Sequence, residues 1–424
     1  MWRVSTFSTH EQRLLDAIDA PWALQRLVEL IAIPSITGSA AESEAQHLLG
    51  AHFEALGLDI DLWAIDLPEA TRHPDFPGME APRTEAWGLV GTTGGDDGPT
   101  LILNGHVDVV PPGDLALWKS GPFQPTVVGD VVHGRGACDM KAGVVAALVA
   151  AKALQDSGLR LAGTLALQSV VGEEDGGLGA WSTLRRGHRG DAAVLLEPTS
   201  GSVHTAGAGA LTFRIEVTGR AAHGATRDMG VSAFEAFWPI HLALRDLETE
   251  RNVEPDVRLR EHRLPYSLSI GTVWAGDWPS SVPDRLVAEG RYGVVIGEPS
   301  AAARKVFEER VVEACKHDPW LADHPATVSW SGGQFGSGQM PIGHPLLDWV
   351  QTAAAEIRGH TPPERAAAYG SDLRLYAAED IPTVHFGPGD VRLAHSPREQ
   401  VEMSDLISTA QSVALLILRT CGVR

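Results

Sequence analysis

The sequence predicts an α/β protein in which a mainly parallel sheet is flanked by helices and interrupted by a small inserted α+β domain. In the first half of the chain, apolar strand-like segments alternate with helical segments, as in parallel sheets that are covered on both faces. Near residue 205 the pattern changes to alternating apolar and polar residues, which is typical of half-buried antiparallel strands. The strand–helix pattern returns near residue 330. We therefore expect a larger domain built from 1–205 and 328–424, and an inserted domain formed by 206–327.

The segments of the larger domain can be assigned in chain order. An amphipathic helix is expected at 22–33 and a helix rich in alanine and valine at 141–155. Strands are expected at 100–103, 164–171, 192–196 and 382–386, and a last helix from Ser404. Functional residues of such sheets collect at the carboxyl ends of the strands. The residues that follow each strand are therefore the first candidates for a site.

The inserted domain is expected to contain both strands and helices. The strands are assigned to 210–218, 268–274 and 286–296, and the helices to 232–248 and 300–316. The glycine-rich stretch SWSGGQFGSG (329–338) lies where the chain must return to the larger domain. We expect a hinge or linker there, because clustered glycines usually mark loops.

Composition excludes several kinds of partner. The formal net charge is −20, so neither nucleic acid nor an anionic membrane is expected to bind, since both require a basic face. No apolar run of about 18 residues occurs, and the opening residues do not resemble a signal peptide. Cys138, Cys315 and Cys421 form no CxxC pair, which argues against a disulfide framework and against a thiolate zinc site. We expect a cytoplasmic protein.

The first candidate motif is GHVD, which follows the strand expected at 100–103 and contains His106 and Asp108. Residues two apart in extended backbone point the same way. The imidazole can therefore bind a metal ion, while the carboxylate orients either the other ring nitrogen or the loop. An isolated histidine is more often a core or surface residue, so this motif does not define a site by itself.

The second motif is GRGACDMKAG, in which Asp139 comes just before the helix expected at 141–155. The surrounding glycines permit a tight backbone, so the carboxylate can be directed toward the strand ends. The alternative is a helix N-cap, a position at which aspartate is favoured. The motif alone does not decide between the two.

The third motif is GEED, in which Glu173, Glu174 and a further acid follow an apolar strand. Adjacent carboxylates repel one another, and a bound dication would offset that repulsion. One glutamate would then bind the metal, and the other would take a proton from the water that the metal activates. These residues alone do not say which glutamate has which role. The alternative is an acidic turn exposed to solvent.

Two further groups complete the set. Glu197 follows five apolar residues, and a carboxylate buried at that point needs a partner. His395 lies in a loop after a strand, behind a Gly-Pro-Gly turn. With His106, Asp139 and Glu174 they make two imidazoles and three carboxylates. If Asp139 is shared, this nitrogen and oxygen set suits two zinc ions, with cobalt or manganese as substitutes.

The motifs also resemble those of a known family. GHVDVVP, GRGACDMKAG, GEEDGG, LLEPT and AHSPREQV are similar, in order and spacing, to motifs of the superfamily that contains aminoacylase, acetylornithine deacetylase, succinyl-diaminopimelate desuccinylase and the glutamate-releasing carboxypeptidases. The similarity extends from IPSITG (33–38) to the last helix. It implies a zinc-peptidase-like sheet, and an inserted ferredoxin-like domain that acts as a lid and forms a homodimer.

The resemblance implies roles for individual residues. It implies that two metal ions are bound by His106, Asp139, Glu174, Glu197 and His395, with Asp139 as the bridge. It implies Glu173 as general base and acid, and Asp108 as the support for His106. In the segment TGRAAHGA it implies that His223 reaches a neighbouring subunit's active site, where it stabilises the oxyanion.

Two arginines are implied to bind the substrate. Arg374, in GSDLRL, resembles the arginine that binds the substrate carboxylate as a bidentate pair, and Arg291, in EGRYGVV, resembles a second such arginine of the desuccinylases. A surface ion pair is the alternative for both. The sequence departs from the family pattern at Gly172, where Asp is common, at Ala142, where Gly is common, and at Ser280-Ser281, where desuccinylases often have Asn. The last departure disfavours succinyl-diaminopimelate as substrate.

We therefore expect a metal-dependent hydrolase that cleaves the amide bond of an N-acyl amino acid or a related N-acyl amine. A metallocarboxypeptidase or dipeptidase that cleaves a short peptide is the alternative within the family. A non-catalytic binding protein with the same fold is a further alternative. The sequence retains every ligand motif and both glutamates of GEED, which disfavours that last reading.

Overall fold

The computed structural model describes residues 7–95 and 97–424, and these divide into two compact units. The first unit contains the chain up to Ala206, together with Gln339–Arg365 and Leu375–Arg424. The second contains Gly207–Gly338 and Ala366–Arg374. The second unit is therefore longer than the inserted domain expected at 206–327, and a short later segment of the chain joins it.

The elements are as follows. The helices are α1 (Thr9–Asp16), α2 (Ala20–Ala32), α3 (Ala41–Ala55), α4 (Leu67–Arg72), α5 (Lys141–Ser157), α6 (Leu178–Arg185), α7 (Ala233–Arg251), α8 (Ser300–Lys316), α9 (Leu346–Arg358), α10 (Leu373–Ala378) and α11 (Met403–Cys421). The strands are β1 (Asp59–Ala64), β2 (Trp87–Gly94), β3 (Thr100–His106), β4 (Thr126–Val128), β5 (Val131–His133), β6 (Thr164–Val170), β7 (Ala192–Pro198), β8 (Val203–Gly207), β9 (Gly209–Thr218), β10 (Ala222–His223), β11 (Leu268–Ala275), β12 (Ser281–Val282), β13 (Arg285–Val294), β14 (Thr327–Phe335), β15 (Gly338–Gln339), β16 (Glu364–Ala367), β17 (Thr383–Gly387) and β18 (Gln400–Glu402). In the described part of the chain, no helix has the length and apolar content that a membrane span requires.

The large sheet has the strand order β1-β2-β6-β3-β7-β17-β8-β15, with β16 beside β8. Its four central strands, β6, β3, β7 and β17, run parallel. Strands β1 and β2 pair antiparallel on one side, and β8 pairs antiparallel with β17 on the other. The predicted α/β class is confirmed: the sheet is parallel at its centre, with antiparallel pairs on both sides of these strands.

Helix α5 explains how this sequence builds the first core. Nearly every residue of the helix is buried, because it packs between strands β3 and β7 and helices α2 and α11. Small alanines and valines allow this close packing on several sides, and each fully buried valine or leucine contributes roughly 1.5–3 kcal/mol. The helix ends at Gly158, which has a φ of 63° and forms a left-handed C-cap.

The second unit has a four-stranded antiparallel sheet in the order β11-β13-β9-β14. Along the chain its elements follow the order strand, helix, strand, strand, helix, strand, which together with the sheet order is the ferredoxin-like arrangement. Helices α7 and α8 pack together, and the core between helices and sheet contains Phe213, Tyr292 and Phe307. The ferredoxin-like inserted unit is also confirmed.

The glycine-rich stretch at 329–338 was predicted as a hinge or linker, and this prediction is wrong for most of its length. Residues Thr327–Phe335 form strand β14, which pairs with β9. The register shifts between Trp330 and Gln334, and Gly332 and Gly333 lie in that break, where Gly332 has a φ of 68°. They form an irregularity within an edge strand, a position at which glycine is common.

Candidate metal centre

The predicted imidazoles and carboxylates of the first unit follow neighbouring parallel strands. His106 ends β3, Glu173 and Glu174 follow β6, and Glu197 lies near the end of β7. Asp139 lies just before α5, and His395 is in the loop after β17. Because the carboxyl ends of parallel strands meet at one edge of the sheet, these side chains converge.

Gly143 explains how Asp139 comes close to this edge. A Cβ atom added at Gly143 would lie 2.0 Å from the backbone oxygen of Leu196, so only glycine lets the first turn of α5 lie against the end of β7. That contact brings the start of α5 next to the strand that carries Glu197. The glycine at this position is therefore part of the site's construction.

Asp139 lies between the two imidazoles. Its Oδ1 atom is 3.3 Å from Nε2 of His106, and its Oδ2 atom is 3.3 Å from Nε2 of His395. Each carboxylate oxygen therefore faces a different histidine, which is the arrangement of a carboxylate that bridges two ions. His395 has a φ of 59°, a left-handed conformation that is uncommon for a residue other than glycine.

The other carboxylates divide between the two histidines. Glu174 Oε2 is 3.1 Å from Nε2 of His395, and Glu197 Oε1 is 3.9 Å from Nε2 of His106. Ligand atoms of His106, Glu173 and Glu197 all lie within 4.8 Å of one another, and so do those of His106, Asp139 and Glu174. The two groups share His106, while Asp139 belongs to one of them and Glu173 to the other.

The donor atoms fit a metal ion. Nε2 of His106 is buried and has no hydrogen-bond partner among the described residues. Two ligands that each lie about 2.0–2.2 Å from a tetrahedral zinc ion are separated by roughly 3.3 Å, which matches the 3.1–3.3 Å between these imidazole and carboxylate atoms. A set of nitrogen and oxygen ligands suits zinc, cobalt or manganese.

Electrostatics at this cluster also favour a cation. Burial opposes charge on Asp139, but the imidazoles of His106 and His395, each 3.3 Å from one of its oxygens, hold its pKa well below the usual range. Burial by itself lowers the pKa of both histidines. The neighbouring carboxylates outweigh it: they hold the pKa of His106 well above its usual value and raise the pKa of His395 to about 11. Burial, and then Asp139, raise the pKa of Glu174. The cluster therefore places several carboxylates close together, where positive charge on the imidazoles or on a metal ion offsets their repulsion.

Asp108 supports the cluster in two ways. Its backbone oxygen accepts a hydrogen bond from Nδ1 of His106 at 2.9 Å, which leaves Nε2 as the nitrogen that faces Asp139. Its carboxylate instead accepts the backbone N–H groups of Glu173, at 3.1 Å, and Glu174, at 3.2 Å. Its Oδ1 atom also lies 3.6 Å from Nδ1 of His106, so the carboxylate contacts both the ring and the loop, the two roles considered for it above.

Three predicted site residues lie in the second unit. His223 is exposed, and its Nδ1 accepts the backbone N–H of Ala225 at 3.1 Å. Arg374 is buried, donates to the backbone oxygen of Ser371 at 2.9 Å and stacks on the ring of Phe335 at 4.3 Å. These contacts hold both side chains in defined orientations.

Arg291 is the third, and its surroundings are unusual for an arginine. It donates to Oγ of Ser267 at 3.0 Å and to the backbone oxygen of Ala368 at 3.3 Å. In the described residues it forms no ion pair with a carboxylate, and burial lowers its pKa. A surface ion pair, the alternative considered above for Arg291, is therefore absent from this part of the structure.

Two buried ion-pair systems beside the cluster were not identified from the sequence. Glu399, paired with Arg135, accepts the backbone N–H groups of Cys138 and Asp139, both at 3.2 Å. Arg83 pairs with Glu42 and Asp175 next to the loop that carries Glu173. Glu399 lies in the motif AHSPREQV, which is a signal that could have been used. No sequence motif marks Arg83, because its partners Glu42 and Asp175 are 41 and 92 residues away along the chain.

Comparison with known proteins identifies the family. Residues 102–419 match the sequence profile of peptidase family M20/M25/M40, and the chain belongs to this family. It is therefore an enzyme of a hydrolase family.

Individual relatives and structures have different activities. The N-formyl-4-amino-5-aminomethyl-2-methylpyrimidine deformylase of Halalkalibacterium halodurans is 27% identical over 419 residues, which cover 93% of each chain. The succinyl-diaminopimelate desuccinylase of Leptothrix cholodnii is 32% identical over 400 residues, covering 90% of this chain and 94% of that protein. The structure of the dipeptidase Dug1p from Saccharomyces cerevisiae matches with a TM-score of 0.76 at 14% identity, over 97% of this chain and 98% of the other.

Proposed function

We propose that this protein hydrolyses the amide bond of an N-acyl amino acid, or of a closely related N-acyl amine, with two bound zinc ions. Cobalt or manganese could replace zinc. The observation that carries the proposal is the position of Asp139, whose two oxygens face different histidines at 3.3 Å each. The deformylase and desuccinylase activities of the relatives support a deacylase. The three cysteines are free thiols, in keeping with a cytoplasmic location.

The proposal assigns each metal position one histidine and one terminal carboxylate. One ion would be held by His106 and Glu197, and the other by His395 and Glu174. Asp139 would contribute one oxygen to each ion. When bound, the ions supply Lewis acidity, which polarises the acyl carbonyl and makes water a better nucleophile at neutral pH.

Glu173 is the general base in this proposal. Its side chain is buried beside His106 and Glu197, and its backbone N–H is held by Asp108. A carboxylate in this position takes the proton of the attacking water and then returns it to the departing amine, so that the amide bond is broken and the acid and amine are released.

Arg374 is proposed to bind the α-carboxylate of the substrate. A guanidinium that is already stacked on Phe335 and hydrogen-bonded to Ser371 loses little freedom when it pairs with a carboxylate. Arg291, which has no carboxylate partner in the described residues, suits an acyl group with a second negative charge. This favours acyl groups that carry a carboxylate.

The substrate class is tested with a panel of N-formyl, N-acetyl and N-succinyl amino acids, dipeptides and an N-formyl amine without a carboxylate. With zinc, cobalt or manganese added, we expect turnover of the N-acyl amino acids to exceed that of the dipeptides. Arg374→Met should lower kcat/KM by roughly 10–100-fold on substrates with an α-carboxylate, since it removes hydrogen bonds to a charged group. Arg285→Met, an exposed arginine in the same unit, is the control.

The alternatives have distinct outcomes in that panel. Preferential cleavage of dipeptides would make the protein a metallocarboxypeptidase or dipeptidase. Binding of metal and ligand without any turnover would make it a non-catalytic binding protein. Equal loss of activity in Arg374→Met and Arg285→Met would remove Arg374 from the proposed site.

A homodimer formed through the second unit is also part of the proposal. Phe234, Trp238 and Leu242 form an exposed apolar stripe along α7, and the edge strand β11 is largely exposed. Nδ1 of His223 accepts a backbone hydrogen bond, so the neutral ring carries its proton on Nε2 and can donate it to an oxyanion.

Complementation tests whether His223 acts in the partner subunit. Glu173→Gln and His223→Ala are each expected to be inactive as homodimers. After subunit exchange, the mixed dimers contain one complete site, so roughly one quarter of the original activity should return. A mixture of Glu173→Gln and Glu174→Gln is the control and should stay inactive, because both residues belong to the same site. No recovery in the first mixture would place His223 outside the neighbouring site.

A further inference from the structure

The turn that carries Glu173 is held by two buried carboxylates from other parts of the chain. Glu42 Oε1 accepts the backbone N–H of Gly172 at 3.1 Å. The two oxygens of Asp108 accept the next two N–H groups, those of Glu173 at 3.1 Å and Glu174 at 3.2 Å. Three consecutive amides are therefore fixed, and with them the direction in which Glu173 leaves the backbone.

One guanidinium connects this arrangement to the other end of the turn. The side chain of Arg83 is fully buried. Its Nε and Nη2 atoms donate to Glu42 at 3.1 and 3.2 Å, and its Nη1 and Nη2 atoms donate to Asp175 at 2.9 and 3.0 Å. Asp175 also accepts the backbone N–H groups of Glu80 and Ala81, which belong to the segment just before Arg83.

Arg83 supplies the positive charge that balances the buried carboxylates around this turn. Glu42, Asp108 and Asp175 are all buried. Within the described residues, Arg83 is the only lysine or arginine that forms an ion pair with Glu42 or Asp175. Without it, two buried carboxylates would lose their counter-ion, which is strongly unfavourable. A lysine at this position would supply the positive charge, but its ammonium group cannot make two bidentate contacts in one plane as the guanidinium does.

Gly172 fits the guanidinium closely. Its φ is 68°, and a Cβ atom added there would lie 2.8 Å from Nη2 of Arg83. A residue with a side chain would therefore be strained and would push the guanidinium away. Gly172 is also the position at which this sequence departs from the family pattern of an aspartate before the two glutamates. In this chain the glycine leaves room for Arg83, and Asp175 supplies a carboxylate.

We propose that Arg83 is a positioning residue for Glu173. It acts through Glu42 and Asp175, which hold the turn at both ends, and it does not touch the substrate. The inference rests on the proposed role of Glu173 as general base. Loosening the turn should therefore slow proton transfer, while the metal ligands and the groups that bind substrate remain.

The test compares Arg83→Met and Arg83→Lys with Arg186→Met. Arg186 is an exposed arginine of the same unit, with bidentate contacts to Asp61. We expect Arg83→Met to lower kcat by about 10–100-fold even when added metal is saturating, as the loss of residues that orient ligands and catalytic groups does. KM should change by less than about threefold, because ground-state binding is not altered. Arg83→Lys should recover part of the lost kcat, and Arg186→Met should match the unaltered protein.

A readout that does not depend on turnover separates this inference from the proposed function. Amide hydrogen exchange of the peptide that contains 172–175 should be faster in Arg83→Met than in Arg186→Met. If the unaltered protein hydrolyses nothing in the substrate panel, the proposed function fails. Unchanged amide exchange at 172–175 in Arg83→Met would separately show that Arg83 does not hold the turn.

If Arg83→Met does not fold, Asp175→Asn keeps the side-chain volume and should lower kcat and speed amide exchange at 172–175 in the same way. A kcat equal to that of Arg186→Met overturns the inference.

Discussion

Replacement of Glu173 by glutamine is expected to lower kcat by about 10²–10⁴-fold while both metal ions stay bound. Glutamine has nearly the same shape and leaves Asp108 bonded to the backbone of the turn, but it cannot accept a proton from water. The loss should therefore appear in kcat more than in KM. Steady-state kinetics and metal analysis by mass spectrometry on the same preparation give the comparison.

Glu174→Gln is the matched control, because the two glutamates are adjacent and differ only in what they face. Glu174 Oε2 lies 3.1 Å from Nε2 of His395, so its replacement should reduce metal content. If Glu173→Gln lost metal and Glu174→Gln kept it, the two roles would be reversed. Full activity of Glu173→Gln would eliminate it as the base.

Asp139→Asn should weaken binding of both metal ions and abolish turnover. The carboxylate contributes one oxygen toward each histidine, and an amide supplies only one oxygen and half of the acceptors. We expect metal affinity to fall by more than about 100-fold, since even residues behind the ligands typically change it by 10–100-fold. Equilibrium dialysis against zinc measures the number of ions bound and their affinity.

Asp390→Asn serves as the control for that substitution. Asp390 is a carboxylate that pairs with Arg392 in the loop leading to His395, and it faces neither imidazole. This variant should keep two ions and normal turnover. Retention of two tightly bound ions by Asp139→Asn would contradict the bridging role.

Much of the fold could be predicted because each central strand has a simple pattern. Strands β3, β6 and β7 are buried on both faces, so they appear as continuous apolar runs of the right length. The edges of the sheet were harder to predict, because antiparallel strands such as β1 are half exposed and their pairing depends on distant residues. The error at β14 has a local cause: its glycines suggested a loop, and pairing with β9 outweighed that preference.

The candidate site could be predicted where chemistry and chain position coincide. His106 ends β3, Glu197 lies near the end of β7, and Glu174 comes shortly after β6, so a polar residue at each point is conspicuous. The hydrogen bond from His106 to the backbone carbonyl of Asp108 could not be predicted, because every residue carries a carbonyl and the sequence does not show where it points. Arg83 could not be predicted either, because a buried ion pair between distant segments leaves no local pattern.

The shared carboxylate has a consequence for how the protein takes up metal. In the proposed centre Asp139 faces both positions, so an ion at one position would change the charge and the orientation that the other ion meets. The two binding events are therefore coupled, and by thermodynamic reciprocity each ion changes the affinity of the other by the same factor. A titration should not be described by two independent constants, and a half-loaded protein is a distinct chemical species.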